Sequence, residues 1–289
     1  EGQTSSLKRP SFVPRYCSFF SSFSISVGFN NTEHKFQGVW KMSGAAVDKI
    51  TPNANEEAII QMNQRITKLE NKLWNIPGND THNRTVDESM RRVRSHIESS
   101  NSCFSVQYNW VPPNYYALSL LERAKILGAH STFQLCKAML MENKKYDASN
   151  SLKGGDGFDR TNSQFYLIVV QYEGSINANK LASEIRALRS VSSKTRLDPN
   201  AFDFRVAKKE DNDALTGFRH NAVSPFGILE SKKVPIVLSK DIIKVTPKFI
   251  FMGGGHVDLK VGMAVDEFIK STDAIVVDIS DPRSSVDEE

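Results

Sequence analysis

Phe165–Tyr172 reads FYLIVVQY, and how this run is read decides the fold. It is built almost wholly from β-branched and aromatic residues and lacks the apolar/polar alternation of a strand with one wet face. A central strand covered on both sides is therefore expected. Before it lies ENKKYDASNSLKGGDGFDRTNS (residues 142–163), polar and glycine-bearing, which predicts a long hairpin loop returning from a strand at Cys136–Met141. Further strands are expected at Ser105–Tyr108, Ile236–Leu238, Phe249–Met252 and Ala274–Val277, with helices at Ala178–Ser190, Lys208–Leu215 and Ala264–Ser271. Ser119–Glu122 has the form of a capping box, opening a helix that runs to about Leu127 and stops at Gly128. The class implied is α+β, with no internal repeat.

The 289 residues allow one or two domains, and no apolar run approaches the ~18 to 20 residues of a membrane helix. No membrane partner is expected. Cys17, Cys103 and Cys136 are odd in number and widely spaced, which fits a reducing compartment and neither a disulfide framework nor a zinc site. The formal charge of +4 is concentrated at one end. Lys8, Arg9, Arg15, Lys35 and Lys41 against Glu1 and Glu33 place a net +3 in residues 1–41, leaving +1 for all the rest. Tight nonspecific nucleic-acid binding needs many phosphate contacts, so any RNA contact of the main body must be local.

Residues 2–32 carry Lys8, Arg9 and Arg15, no acidic residue and a serine-rich run, the composition of an organellar transit peptide; the other reading is a disordered leader, or a stretch before a start at Met42. A cytoplasmic location is expected, with mitochondrion or plastid the alternative if residues 1–41 are a transit peptide. In Glu56–Ile76 the apolar residues Ile59, Met62, Ile66, Leu69, Leu73 and Ile76 recur at spacings of 3 and 4. That is a heptad seam ended by Pro77-Gly78, suited to a coiled coil or to an intramolecular helix. Thr85–Glu88 reads as a capping box for a second helix carrying Met90, Val93 and Ile97. The expected division is a leader at 1–41, a helical hairpin at 42–102 that serves docking or homodimerisation, a mixed domain at 103–281 and an acidic tail at 282–289.

Several residues could carry chemistry. Lys137 is a lone cation in LCKAMLM, Leu135–Met141. Gly253-Gly254-Gly255 follows a strand but matches neither the dinucleotide fingerprint nor a P-loop. His256 and Asp258 have no further His or Cys at ligand spacing, so no metal is expected, and the alternation of Asp258 with Lys260 suggests the solvent face of a short strand. Ser224 and His220 share a loop, TGFRHNAVSPFGI (Thr216–Ile228), yet no Gly-x-Ser-x-Gly elbow surrounds Ser224. Pro225 also removes the N–H that would follow a nucleophile there.

LCKAMLMEN (135–143), FYLIVVQY, the 215–227 loop and GGGHVDLK (253–260) fall in the order seen in the YbaK/ProX family, which this chain resembles over roughly residues 105–280. Those proteins are aminoacyl-tRNA deacylases and the editing domain inserted in some prolyl-tRNA synthetases. The tyrosine-rich, VQY and HNAV-x-P segments look most like a eukaryotic branch. The resemblance implies a barrel-like mixed sheet flanked by helices, preceded here by the helical hairpin. It also implies hydrolysis of the ester that joins a wrong, small amino acid to tRNA, of the Cys- or Ala-tRNA(Pro) type. A synthetase pocket discriminates one methylene by only about 1–3 kcal/mol, which is why a second, size-excluding site is needed.

By resemblance, Lys137 matches a lysine that meets the acceptor end, and Pro225 ends a loop whose backbone amides hold the ester carbonyl. That loop begins with glycine in the family and with Asn221 here, the non-glycine residue that best tolerates left-handed backbone geometry. The implied catalytic set is Lys137 with the Asn221, Ala222, Val223 and Ser224 backbone. The implied substrate-binding set is Gly217, His220, Pro225, Phe226, Gly227, Gly253, Gly254 and Gly255. No cofactor is implied. Water attacks, assisted by a substrate hydroxyl or thiol, and the partners are the aminoacyl-tRNA acceptor end and a synthetase. A rival reading keeps the fold but not the turnover: a regulatory protein that binds tRNA or a synthetase.

Overall fold

The computed structural model describes residues 54–76, 80, 84–152 and 158–283, all within one compact unit spanning Asn53–Glu289. The expected leader at 1–41, the Pro77-Gly78 break, the glycine-bearing centre of the 142–163 loop and nearly all of the acidic tail lie outside the described residues. Along the chain come helices α1 (Ala54–Leu73) and α2 (Glu88–Arg94), a π-helical turn (Ser95–Ser100), strand β1 (Gln107–Trp110), α3 (Leu120–Leu127), β2 (Cys136–Asn143), β3 (Phe165–Gln171), β4 (Gly174–Ile176) and α4 (Ala178–Ala187). Then follow β5 (Phe204–Val206), α5 (Lys209–Thr216), β6 (Ile236–Ser239), β7 (Phe249–Gly253), β8 (Leu259–Ala264), α6 (Val265–Thr272), β9 (Ile275–Val277) and β10 (Ser280–Pro282). No described helix is long and apolar enough to cross a membrane.

The fold is α+β. Five strands form a mixed sheet in the order β5-β2-β3-β6-β9, and three form an antiparallel sheet in the order β1-β8-β7. A β4–β10 ladder completes the set. One parallel bridge, Leu135 to Phe251, brings the two larger sheets edge to edge. The sheets stay open and do not close into a barrel; the barrel-like form implied by the resemblance is realised only as this edge contact.

Strand β3 occupies the middle of its sheet as FYLIVVQ predicts. Leu167 and Val169 enter the main core, Tyr166, Ile168 and Val170 enter a second cluster under α4 with Leu181 and Ile185, and all five are fully buried. Each such side chain stabilises the fold by about 1.5–3 kcal/mol relative to exposure, so β3 is the anchor of both layers.

Helices α1 and α2 form the expected hairpin, joined by the Arg91–Glu70 ion pair and by Arg94 Nη1 donating to the Leu73 carbonyl at 2.9 Å. The second helix starts later than the Thr85 capping box suggests: its N-cap is Asp87, whose carboxylate accepts from the Met90 N–H at 2.8 Å. Aspartate caps at least as well as threonine, which accounts for the shift. The seam residues of α1 divide. Ile76 is buried with Trp74 and Met90, whereas Ile59, Met62, Ile66, Leu69 and Leu73 are exposed. Val93 and Ile97 lie in the main core with Leu140 and Phe226, so the packing is continuous across residue 102.

Candidate functional site

A cavity of about 1310 Å³ opens beside the first half of β2. Lys137 reaches it from β2, His220, Asn221 and Val223 from the loop after α5, and Gly253 from the end of β7; Tyr116, Arg123, Tyr172 and Arg283 are among its other polar lining residues, which include the acidic Glu173 and Asp213. The cation and the loop, which sequence alone leaves 84 positions apart, thus share one cavity. The Lys137 ammonium lies 5.9 Å from the Tyr172 ring centroid. Burial, and then the like charge of Arg283, depress its pKa, so the ammonium is partly stripped of water and responsive to an anion.

The loop is shaped by one turn. Asn221 has φ of 63°, the left-handed geometry expected of it, and the Ala222 N–H donates to the Arg219 carbonyl at 3.0 Å. The Ala222 amide is therefore spent within the turn. Among the described residues the Asn221 and Val223 N–H groups make no hydrogen bond, and both residues line the cavity. Ser224 is fully buried, with its Oγ accepting from the Phe226 N–H, so it faces away from any substrate. Ala222, Pro225 and Phe226 are buried behind the loop, Phe226 in the main core. They position the loop rather than line the cavity.

The three glycines of Gly253–Gly255 serve three different neighbours. A Cβ on Gly253 would lie 2.1 Å from the Val223 carbonyl oxygen, so only glycine lets β7 lie against the loop. A Cβ on Gly254 would press on Leu259, and one on Gly255 would meet Val93 and Ser89 of α2. The Gly255 N–H donates to the Ala222 carbonyl at 3.2 Å. Gly217 and Gly227 likewise abut Arg92 of α2 and are absent from the cavity wall. Of the glycines expected to touch substrate, Gly253 alone lines the cavity.

Behind the loop stands a group the sequence reading missed. Lys260 was expected on a solvent face, but it is only 4% exposed. Its strand β8 is central between β1 and β7, and Tyr115 and Tyr116 cover its side chain, with ring centroids 5.2 and 4.7 Å from the ammonium. Lys260 Nζ donates to the Val257 carbonyl at 2.7 Å and to Tyr116 Oη at 3.0 Å, and the Tyr116 hydroxyl donates to the Asn221 carbonyl at 2.8 Å. Burial pulls the Lys260 pKa down to about 7; Arg123 adds to the depression and Asp258 opposes it. Burial also pushes the Tyr116 phenol well above its ordinary value, so it stays a proton donor. The only hint in the sequence is the tyrosine pair of PPNYYALS (112–119), whose meaning depends on a contact 144 residues away.

Chemically, the cavity offers a desolvated cation, two backbone donors free to receive an oxyanion, and a tyrosine that fixes the loop. Cys136 also borders it, but complete burial raises its thiol far above neutrality, which leaves it a poor nucleophile. His220 and Ser224 make no contact with each other: His220 is exposed at the cavity rim and Ser224 is buried. Among the described residues no group of three His, Cys, Asp or Glu side chains converges as metal ligands do.

No family model and no curated protein matches the chain. Solved structures do. The chain is similar to a provisionally assigned trans-editing enzyme for prolyl tRNA synthetase, at 19% identity, covering 68% of this chain and 99% of that one with a TM-score of 0.50. It is also similar to a protein from computational grafting of epitope backbones onto scaffolds, at 20% identity, 68% and 100% coverage and a TM-score of 0.49. At such identities the likeness speaks for the fold, which is YbaK-like.

Proposed function

We propose that this protein is a trans-editing aminoacyl-tRNA deacylase that hydrolyses the ester of a small, wrongly attached amino acid, of the Cys- or Ala-tRNA(Pro) type. The observation that carries the reading is the meeting of Lys137 with the unengaged amides of Asn221 and Val223 in one cavity. In this reading Lys137 anchors the acceptor end electrostatically, the two amides receive the oxyanion, and water attacks with help from a substrate hydroxyl or thiol. His220 and Gly253 border the substrate at the rim and wall. The exposed seam of α1 supports a second copy of the chain as its partner, which light scattering of the full chain against an Ile66→Asp variant tests: an unchanged mass removes that contact.

Hydrolysis of tRNA(Pro) charged with alanine or cysteine, compared between the full chain and Lys137→Ala, tests the activity. Equal rates remove Lys137 from the mechanism. Undetectable hydrolysis across Cys-, Ala- and Ser-charged tRNAs, with tRNA binding retained, replaces this reading with a binding protein on the same fold.

A further inference from the structure

The ends of the cavity loop pair with each other just outside Gly217 and Gly227, the Leu229 N–H donating to the Thr216 carbonyl at 3.4 Å and the Glu230 N–H to the Leu215 carbonyl at 3.0 Å. They are also held by α2, which lies outside the part of the chain that carries the family resemblance. Arg92 spans both ends at once. Its Nε donates to the Gly227 carbonyl and its Nη2 to the Gly217 carbonyl, each at 3.1 Å, and its guanidinium lies 5.2 Å from the centroid of the Phe218 ring. Ser89 Oγ gives the Gly217 carbonyl a second, longer donor at 3.4 Å. One turn on, His96 Nδ1 accepts from the Gly227 N–H at 3.0 Å, and its ring meets Phe226 edge-on at 5.9 Å.

A planar guanidinium has its donors in a fixed fork, so two carbonyls bound to one fork cannot drift apart independently. Gly217 and Gly227 are ten residues apart in sequence, and the fork, added to the backbone pairs just outside them, closes the chain between them into a compact loop of fixed mouth. Both glycines have positive φ, 71° and 70°. Added Cβ atoms would sit 2.7 Å from Arg92 Nη2 and 2.8 Å from the Arg92 carbonyl carbon. At Gly227 the fit is to the α2 backbone itself, which no side-chain rearrangement can relax, whereas at Gly217 it is to the Arg92 and Leu229 side chains.

We infer that α2 is a built-in brace of the cavity loop, with Arg92 the positioning residue that sets the spacing of the loop ends and hence the placement of the Asn221 and Val223 amides. The catalytic part of this inference rests on the deacylase reading; the mechanical part does not. The N-terminal hairpin is accordingly a component of the site, not a detachable docking module.

The test is amide hydrogen exchange on the full chain, comparing wild type, Arg92→Ala and Arg92→Lys, with deacylation kinetics alongside. Loss of the charge-assisted fork should speed exchange across residues 217–228 by about tenfold or more, with β2 and β3 amides unchanged. Lysine keeps the charge but not the fork, so Arg92→Lys should fail to restore protection. Deacylation should lose kcat with KM preserved, as expected when only the transition-state donors are misplaced. Unchanged exchange at 217–228 in Arg92→Ala overturns the brace. So does full protection in Arg92→Lys, or loosening spread equally over β2 and β3. If the wild type hydrolyses no charged tRNA, the exchange data still decide the brace, and the deacylase reading falls alone.

Discussion

The Tyr116 hydroxyl donates to the backbone carbonyl of Asn221 at 2.8 Å, tying together two residues that both line the cavity. The same oxygen accepts from Lys260, so one phenol joins a buried cation to the loop. Tyr116→Phe keeps the ring and removes both links. A hydrogen bond of this kind is worth on the order of 1 kcal/mol, which corresponds to about fivefold in rate when it holds a transition-state donor in place. Single-turnover deacylation by Tyr116→Phe should slow by about that factor while the melting temperature falls by about 2–4 °C; an unchanged rate would show that the turn holds its shape without the phenol.

Asn221 separates backbone shape from side-chain chemistry. Its φ of 63° costs a residue with a Cβ about 1–2 kcal/mol, a cost that asparagine offsets in part and glycine escapes. Asn221→Gly should match or exceed the wild type in urea unfolding, and Asn221→Ala should fall below it. Because Tyr116 binds the backbone carbonyl, the link to the wall survives in both variants. Deacylation should follow the same order, with Asn221→Gly active; an Ala variant as stable as the Gly variant would remove backbone geometry as the reason for asparagine here.

What could be read in advance was local. FYLIVVQY announced a doubly covered strand, the Ser119–Glu122 capping box and Gly128 bounded α3 as observed, and the tolerance of Asn for left-handed geometry anticipated the φ of Asn221. Contacts between distant segments were hidden. Gly217, Gly227 and Gly255 were marked as special by their residue type alone, but what presses on them is α2, over a hundred residues upstream. Lys260 misled for the same reason: alternation along a strand reports its two faces, not which of them another segment will cover. The single cation Lys137 in an apolar strand was readable as unusual, and only the folded sheet shows which loop it faces across the cavity.

Lys260 makes stability depend on pH in a direction opposite to that of a lysine held in an ion pair, whose folded pKa is raised. In the unfolded chain its ammonium titrates near 10.4, as free lysine does, whereas burial draws the folded value down to about 7. Between those values the unfolded chain holds the extra proton, so stability rises with pH across that window; below about 7 both states are protonated and the slope vanishes. The groups facing the ammonium are Tyr115, Tyr116, Arg123 and Asp258. Burial pushes both phenols up, so neither titrates within the window. Lys260→Met removes the titration and keeps most of the packing. Urea unfolding from about pH 6 to about pH 9 should therefore show the wild type gaining on the Met variant as pH rises, by at most ~1.4 kcal/mol per pH unit. A difference that stays flat would mean that Lys260 keeps its proton throughout, held by the Val257 carbonyl and the Tyr116 oxygen, and that the loop is insensitive to pH from this side.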